Sequence, residues 1–319
     1  SAVFFRVDPA APHVTETKPG RSGVSSVMVR NSDRYPTSVF GGKNSNENTG
    51  CPLAYSSGIR IAASLARIPI DARVAARETA RSGGLFMSVL CSGSVAVDSI
   101  MVYRGRFRDV ILPDKIRMLN VAFHVPELRK SFGGTAANIA FNLRLLGEDP
   151  IILATVGNDF AAYGEWLDQH GIRRDGIRVL EDEATAGAYI ITDLDDNQIV
   201  GFHPGAMDRA HEAKIADLGE PFDIGIVSPN GKQAMLENAR ALKELGVTTV
   251  IDPGQGLPLL DGEELIELLE GASVYAVNDY EWSVTLEKTR LTEDEIAKRV
   301  GIVVITRSER GSTLLRGGD

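Results

Sequence analysis

The sequence predicts an α/β protein in which a parallel β-sheet lies between two layers of helices and carries a small β lid. Apolar runs suited to buried strands alternate with helical patterns along residues 223–306, and repeated strand–helix units form parallel sheets. The run 150–157 is apolar almost throughout, as expected for a strand covered on both faces. Two short strand patterns around an Asp/Asn turn within 187–203 predict the lid.

The composition is that of a chain long enough to bury a sizeable core. The 319 residues are 43% hydrophobic and carry a net charge of −9, which disfavours a general nucleic-acid-binding protein. Cys51 and Cys91 show no metal or redox spacing, so we expect a reduced, cytoplasmic protein. No apolar run approaches the roughly 18 residues of a transmembrane helix, so we expect no membrane partner.

Residues 1–86 differ in composition from the rest of the chain. They contain 11 Lys and Arg against 6 Asp and Glu, are rich in Ser, Gly and Pro, and have scattered apolar residues. Three interpretations stay open: a transit peptide, a disordered extension, or non-native sequence upstream of a true start at Met87, which we favour. We expect residues 87–319 to form the folded domain.

The predicted elements follow one another from Met87 onward. Residues 88–98 are predicted as a buried strand, a tight glycine turn and a polar end at Asp98. Residues 101–131 mix charged and apolar side chains and are predicted as short strands or a flap that joins 187–203 in the lid. The other predicted strands are 150–157, 223–228, 248–252, 273–277 and 301–306, and the predicted helices are 134–146, 160–170, 231–245, 261–270, 279–286 and 291–300.

Polar and small residues follow the predicted strands at the edge where such sheets bind ligands. In open α/β sheets, ligands bind beyond the carboxyl ends of the strands. Several residues lie at strand ends or in loops of that kind, namely Asp98, Gly133, Asn230, Asp252, Asn278 and Thr306. We therefore expect the functional site along this edge.

The most informative stretch is Gly133-Gly134, directly before a predicted helix. Two residues without Cβ at a helix start allow backbone N–H groups to approach a ligand and point at its oxygens. Asn138 lies one turn further along the same face as Gly134, and its amide both donates and accepts, which suits a polyol. A plain loop-to-helix junction is the alternative interpretation.

This stretch resembles the signature of the ribokinase-like (PfkB) family of sugar and nucleoside kinases. The family has a pair of small residues, an Asn shortly after and glycines at fixed distances, as Gly133, Gly134, Asn138, Gly147 and Gly157 are here. The order of the elements over 87–319 is similar as well. The resemblance implies a ribokinase-like fold and ATP-dependent phosphorylation, with Mg²⁺, of a primary hydroxyl of a sugar or nucleoside.

The resemblance also implies which residues bind the acceptor. Asp98, Gly133, Gly134 and Asn138 match the substrate-binding positions of the family. A carboxylate such as that of Asp98 suits this role because it can accept two hydrogen bonds from a diol. A turn residue at the end of a strand is the alternative interpretation of Asp98.

On the nucleotide side, Asn278 and Glu281 match the family's Asn-x-x-Glu motif. The resemblance implies that Asn278 binds the nucleotide and that Glu281 binds Mg²⁺, a hard cation that prefers oxygen ligands. A helix start with an acidic first turn is the alternative. Thr306 and Gly311 match the family's nucleotide-side strand and loop, although the two residues after Thr306 depart from the pattern and a plain hairpin turn would also explain them.

The family's second signature is Asp-Thr-x-Gly-Ala-Gly-Asp, which supplies an anion hole and the general base. Gly317-Gly318-Asp319 echoes it only superficially, so we assign no catalytic residue and expect the general-base Asp beyond Asp319. Phosphoryl transfer depends on positioning and charge stabilisation. A non-catalytic, truncated chain that still binds its ligand is therefore a second hypothesis.

Adenosine is favoured as the acceptor, while ribose or another furanose stays open. Tyr189 and Phe202 of the lid, together with the insert 101–131, are placed to stack on a base, and His203 is interpreted as a surface residue of the lid. A homodimer through the lid is a further expectation. A nicotinamide-dependent enzyme is disfavoured because 93–98 has a single Gly and no GxGxxG.

Overall fold

A computed structural model of the chain describes residues 87–111 and 120–317, together with the backbone of two short strands nearer the amino terminus. The strands, numbered along the chain, are β1 (Val14–Glu16), β2 (Ser25–Val29), β3 (Ser88–Ser92), β4 (Ala96–Val102), β5 (Glu127–Gly133), β6 (Asp149–Gly157), β7 (Arg173–Leu180), β8 (Ala186–Thr192), β9 (Gln198–His203), β10 (Ile224–Val227), β11 (Thr248–Ile251), β12 (Val274–Asn278), β13 (Ile302–Thr306) and β14 (Ser312–Arg316).

The helices alternate with these strands. They are α1 (Phe107–Val110), α2 (Thr135–Leu145), α3 (Ala161–Gln169), α4 (Lys232–Glu244), α5 (Gly262–Gly271), α6 (Asp279–Thr289) and α7 (Glu293–Val300). Short 3₁₀ segments cover Gly205–Glu212, Ile215–Leu218, Gly254–Leu259 and Ser308–Arg310. None of the helices in the described part of the chain has the length and apolar character needed to span a bilayer.

The larger sheet has ten strands in the order β1-β2-β14-β13-β12-β11-β10-β3-β6-β7. Strands β7, β6, β3 and β10 to β13 run parallel, with β7 at the edge, and β14 joins them antiparallel. The predicted parallel sheet is thus confirmed, with an antiparallel edge that the sequence did not indicate. At that edge β2 pairs with β14, and β1 pairs with β2.

The helices cover both faces of this sheet, as predicted. Alternate residues of one strand point to opposite faces, so Ile151 and Leu153 of β6 enter one hydrophobic cluster and Ile152 enters the other. The first cluster also receives α4 to α7, and the second receives α2 and α3. The sandwich follows from this pattern, because both faces of the central strands are apolar.

A second, four-stranded sheet in the order β5-β4-β8-β9 forms the lid. The predicted hairpin within 187–203 is confirmed as β8 and β9, and the insert 101–131 contributes β5 and the single turn of α1. Residues 112–119 of that insert lie outside the described residues. One prediction was wrong: Asp98 does not end the first strand, because the chain turns at Gly93 and Asp98 is the third residue of β4.

The insert is fixed to the turn of the lid hairpin by Asp193. Its carboxylate accepts hydrogen bonds from Phe107 N at 2.9 Å and from Asn197 N at 2.9 Å. Desolvation opposes ionisation of Asp193, but these hydrogen bonds outweigh it and lower its pKa to about 2. Phe107 also packs with Tyr103 and Phe123, whose ring centroids lie 5.1 Å apart.

Two short strands lie within residues 1–86. The rest of that stretch lies outside the described residues, so its interpretation as a disordered or non-native extension stays a prediction. The same holds for the division of the chain at residue 87.

Candidate functional site

Several of the residues predicted for the site follow strands that end along one edge of the large sheet. Parallel pairing brings the carboxyl ends of β3, β10 and β11 together, since Val227 pairs with both Ser92 and Ile251. Further along the same edge, Asn278 at the end of β12 pairs directly with Thr306 at the end of β13. The lid strand β4 follows β3 along the chain and pairs with β5.

Gly133 makes room for the carboxylate of Asp98. Both residues lie in the lid sheet, where Asp98 pairs with Ser131 and Gly133 pairs with Ala96, so that they share one face. A Cβ at Gly133 would stand only 2.7 Å from Asp98 Oδ2. Asp98 itself is buried, with 4% of its surface exposed. The structure therefore brings these two predicted residues together, and glycine is required because the carboxylate occupies the space of a side chain.

Gly134 has a structural role that the sequence did not indicate. It adopts φ +94°, and a Cβ there would lie 2.5 Å from Ser94 O and 2.7 Å from Ala96 N. The first N–H groups of α2 are also occupied, because Thr135 N donates to Ser94 Oγ at 2.9 Å and Ala136 N donates to Ser94 O at 3.0 Å. These two N–H groups are therefore bonded to the turn after β3, while ligand binding by Gly133 and Gly134 stays a prediction.

A network of buried hydroxyl groups holds this turn, and it was not predicted from the sequence. Thr135 Oγ1 accepts from Ser94 N at 3.1 Å and from Ser228 Oγ at 3.0 Å, and it donates to Pro229 O at 2.9 Å. Ser94 N also donates to Pro229 O at 3.1 Å. The partners lie 41 to 94 positions apart in the chain, so no local pattern indicates them.

Asn138 lies within the first turns of α2 and is partly buried. Its side-chain Nδ2 is buried and has no acceptor among the described residues. A buried N–H group without a partner is unfavourable and calls for an acceptor. Asn138 is therefore suited to donate to a ligand, as the sequence predicts.

Tyr163 of α3 is a further residue of this region that the sequence did not single out. Its hydroxyl donates to Gly133 O at 2.7 Å, and its ring stacks on Phe132 with the centroids 4.3 Å apart. Burial, and to a smaller extent the charge of Asp98, raises the pKa of Tyr163 far above its usual value. Tyr163 thus stays protonated and fixes the carbonyl of Gly133 beside Asp98.

Asn278 and Glu281 form a capping box at the start of α6. Asn278 Oδ1 accepts from Glu281 N at 2.7 Å, and Glu281 Oε2 accepts from Asn278 N at 2.8 Å. This is the arrangement that stabilises a helix start. The alternative interpretation, a helix start with an acidic first turn, is therefore present in the structure. One carboxylate oxygen of Glu281 already has a backbone partner.

The same end of the sheet contains a second carboxylate, that of Asp252. Burial, together with the nearby charges of Asp252 and Glu281, raises the pKa of the Tyr275 hydroxyl well above its usual value. Asp252 directly follows β11, and Glu281 lies in the helix that follows the neighbouring strand β12. No three His, Cys, Asp or Glu side chains cluster as a metal site within the described ranges. Two carboxylates fit Mg²⁺, which commonly uses one or two protein oxygens together with phosphates and water.

Thr306 and Gly311 bound the turn between β13 and β14. Gly311 adopts φ +83°, its N–H donates to Ser308 O at 3.1 Å, and Arg307 N donates to Gly311 O at 2.8 Å. The hairpin turn considered from the sequence is thus present. It lies beside α6, since Arg310 forms an ion pair of 2.9 Å with Asp279.

The two lid aromatics do not share a face. Phe202 pairs with Ala188, which in turn pairs with Asp98, so Phe202 lies on the face of Asp98. Tyr189 follows Ala188 in the strand and points to the opposite face. The prediction that both rings stack on one base was wrong, and only Phe202 is on the correct side. His203 is exposed, as predicted.

Comparison with known proteins gives a consistent result. Residues 93–319 match the pfkB family carbohydrate kinase. The nucleoside kinase of Methanocaldococcus jannaschii is 28% identical over 235 residues, which are 73% of each chain. The structure of Burkholderia thailandensis nucleoside kinase in complex with inosine has 42% sequence identity and a TM-score of 0.64 and covers 72% of each chain. The same enzyme in complex with ADP-inosine has 45% identity and a TM-score of 0.61, again over 72% of each chain.

Proposed function

Because the chain belongs to the pfkB family of carbohydrate kinases and has a ribokinase-like fold, we propose that it transfers the γ-phosphoryl group of ATP to a primary hydroxyl of a nucleoside. The observation that carries this proposal is the buried Asp98 carboxylate, which lies against Gly133 in the lid sheet. The likeness to nucleoside kinases at 28% and 42% identity supports the choice of acceptor.

On the acceptor side, Asp98 accepts hydrogen bonds from neighbouring hydroxyls of the sugar. Asn138 donates its unpartnered Nδ2 to an oxygen of the same sugar. Gly133 and Gly134 act through their lack of a side chain, the first beside Asp98 and the second beside the turn of Ser94. Together these residues orient the hydroxyl that is to be phosphorylated, and orientation is a main contribution of the protein in phosphoryl transfer.

On the nucleotide side, Asn278, Thr306 and Gly311 border the phosphates and the base of ATP. Glu281 and Asp252 would hold Mg²⁺, directly or through water, because both carboxylates follow adjacent parallel strands at the same edge of the sheet. When bound, Mg²⁺ neutralises phosphate charge. During transfer the hydroxyl oxygen bonds to the γ-phosphorus, the bond to the bridging β–γ oxygen breaks, ADP leaves, and the hydroxyl proton passes to a base. We assign none of the described residues to that base.

We infer a purine nucleoside as the acceptor, with adenosine and inosine as the first compounds to test. Phe202, on the face of Asp98, is placed to contact a base, and the relative at 42% identity was solved with inosine. Ribose or another furanose is the alternative. The opposite face of the lid exposes Leu128, Tyr189 and Ile199, which supports a homodimer through the lid.

The test is a panel of acceptors incubated with ATP, Mg²⁺ and the full chain, with products identified by mass spectrometry. We expect phosphorylated adenosine or inosine to form faster than phosphorylated ribose. Phosphorylation of ribose alone would contradict the choice of a nucleoside. Binding of a nucleoside without any phosphorylated product would support the second hypothesis, a chain that binds its ligand and does not catalyse transfer.

A further inference from the structure

We propose that Asn230 is a specificity-determining residue whose side-chain amide donates a hydrogen bond to a ribose oxygen of the acceptor. This inference rests on the proposed function and adds a residue to the acceptor site. Asn230 follows β10 at the carboxyl edge of the sheet, and only 4% of its surface is exposed.

In the side-chain amide of Asn230, the oxygen has a hydrogen-bond partner and the nitrogen has none among the described residues. Its Oδ1 accepts a hydrogen bond from Gly231 N at 2.9 Å. Its Nδ2 is buried and has no acceptor within the part of the chain that the structure describes. The orientation of the amide is fixed, because a flipped group would place its N–H₂ against the N–H of Gly231. The free donor therefore requires an oxygen or nitrogen from outside the described residues.

The neighbours of Asn230 place its loop beside the elements that carry the predicted acceptor residues. The preceding residue, Pro229, accepts hydrogen bonds through its carbonyl from Ser94 N and Thr135 Oγ1. Ser94 leads into the strand of Asp98, and Thr135 begins the helix of Asn138. The loop of Asn230 is thus joined to the starts of both elements that carry the predicted acceptor residues.

Among the described residues, Asn138 and Asn230 are the two side-chain amides whose Nδ2 is buried without an acceptor. A polyol offers several oxygens that accept such donors. A site that hydrogen-bonds a substrate hydroxyl rejects an analogue lacking it, because the buried donor is then left unpaired. Asn230 would consequently discriminate between ribosides and their deoxy analogues.

The test compares the wild-type chain with Asn230→Asp and Asn230→Ser by calorimetric titration. Asp keeps an oxygen for Gly231 N but lacks the donor, and Ser is a smaller variant in case the buried charge of Asp prevents folding. Asn238 supplies the matched control, since it is 5% exposed and its Nδ2 already donates to Ser92 Oγ at 2.9 Å. The probes are inosine, 2′-deoxyinosine, 3′-deoxyinosine and ribose.

We expect each folded Asn230 variant to bind inosine about tenfold more weakly than the wild type, the loss of one buried hydrogen bond. One deoxy analogue should bind the wild type and the variants equally, which identifies the oxygen contacted. Asn238→Asp and Asn238→Ser should leave the inosine affinity within about twofold of the wild type.

Two outcomes would overturn the role of Asn230. One is wild-type affinity for inosine in a folded variant, as expected if a water molecule accepts the hydrogen bond of the Asn230 amide. The other is an equal loss for inosine and both deoxy analogues, as expected from general distortion. Failure of the wild type to bind inosine while it binds ribose would refute the nucleoside proposal instead, and the variants would then be compared with ribose. Binding of neither probe would refute both proposals.

Discussion

Replacement of Gly134 by Ala tests why the start of α2 carries glycine. A Cβ at this position would lie 2.5 Å from Ser94 O and 2.7 Å from Ala96 N. Both neighbours are backbone atoms, so no side-chain rotation relieves the contact. The residue also has φ +94° and ψ 150°, a conformation that only glycine adopts readily.

The expected cost has two parts. The backbone conformation costs a residue other than glycine about 1–3 kcal/mol. The overlap with the turn after β3 adds a further cost, and overpacking in a filled region is typically about 1–3 kcal/mol. We therefore expect Gly134→Ala to lower the free energy of unfolding by about 2–6 kcal/mol, a large share of the ~5–15 kcal/mol of a typical domain.

Gly147 provides the matched control. It has φ +92°, close to that of Gly134, but a Cβ there would meet no atom within 4 Å. Gly147→Ala should lose only the conformational part, about 1–3 kcal/mol. Urea denaturation followed by tryptophan fluorescence measures both variants. Equal losses for the two, or a Gly134→Ala value within about 0.5 kcal/mol of the wild type, would refute the role assigned to the turn of Ser94.

Three other predictions follow from the contacts of single side chains. Tyr163→Phe removes the hydrogen bond to Gly133 O, so we expect the free energy of unfolding in urea to fall by about 1–3 kcal/mol and inosine to bind more weakly. Unchanged values of both would contradict the positioning role of Tyr163. Glu281→Gln keeps an oxygen for Asn278 N but removes the negative charge. We therefore expect Mg²⁺-ATP to bind about tenfold more weakly at nearly unchanged stability of the fold. Reduced stability with unchanged ATP affinity would show that Glu281 acts only as a helix cap. The lowered pKa of Asp193 contributes stability that is present above its usual pKa near 4 and is lost as the pH falls through about 2. The midpoint temperature of thermal unfolding should therefore change less between pH 4 and pH 2 in Asp193→Asn than in the wild type. Parallel pH profiles of the two proteins would contradict this.

Much of the fold was predictable because the central strands are short apolar runs between helical patterns. The strand predicted at 248–252 is observed as Thr248–Ile251, and that predicted at 301–306 is observed as Ile302–Thr306. The edge strand Arg173–Leu180 was missed because five of its residues are charged or glycine and several are exposed. An edge strand has fewer neighbours and therefore a weaker apolar pattern.

The site was predictable only where a residue type fixes its own role. The burial of Asp98, and the Nδ2 of Asn138 that lacks an acceptor among the described residues, agree with the chemistry inferred from their positions. The turn of the chain that approaches Gly134 was missed, because a glycine before a helix looks the same in sequence whether or not such a turn lies against it. The hydroxyls of Thr135 and Ser228 join parts of the chain 93 positions apart, which no local pattern can indicate.

The faces of the lid aromatics also lay beyond the sequence. Whether Tyr189 and Phe202 point the same way depends on the register of the hairpin, and a shift of one residue turns every side chain of a strand to the other face. The observed register pairs Tyr189 with Gly201 and Ala188 with Phe202. The structure was therefore needed to show that, of these two aromatic residues, Phe202 lies on the face of Asp98.

The most direct test of the proposed acceptor site is calorimetric titration of inosine into the wild-type chain and into Asp98→Asn. Hydrogen bonds to a charged group contribute about 1.5–3 kcal/mol, so the variant should bind inosine at least about tenfold more weakly. Its affinity for ATP should stay unchanged, because Asn278 and Thr306 lie at the other end of the sheet edge. Equal inosine affinity of the two proteins would contradict the assignment of Asp98 as the residue that binds the acceptor.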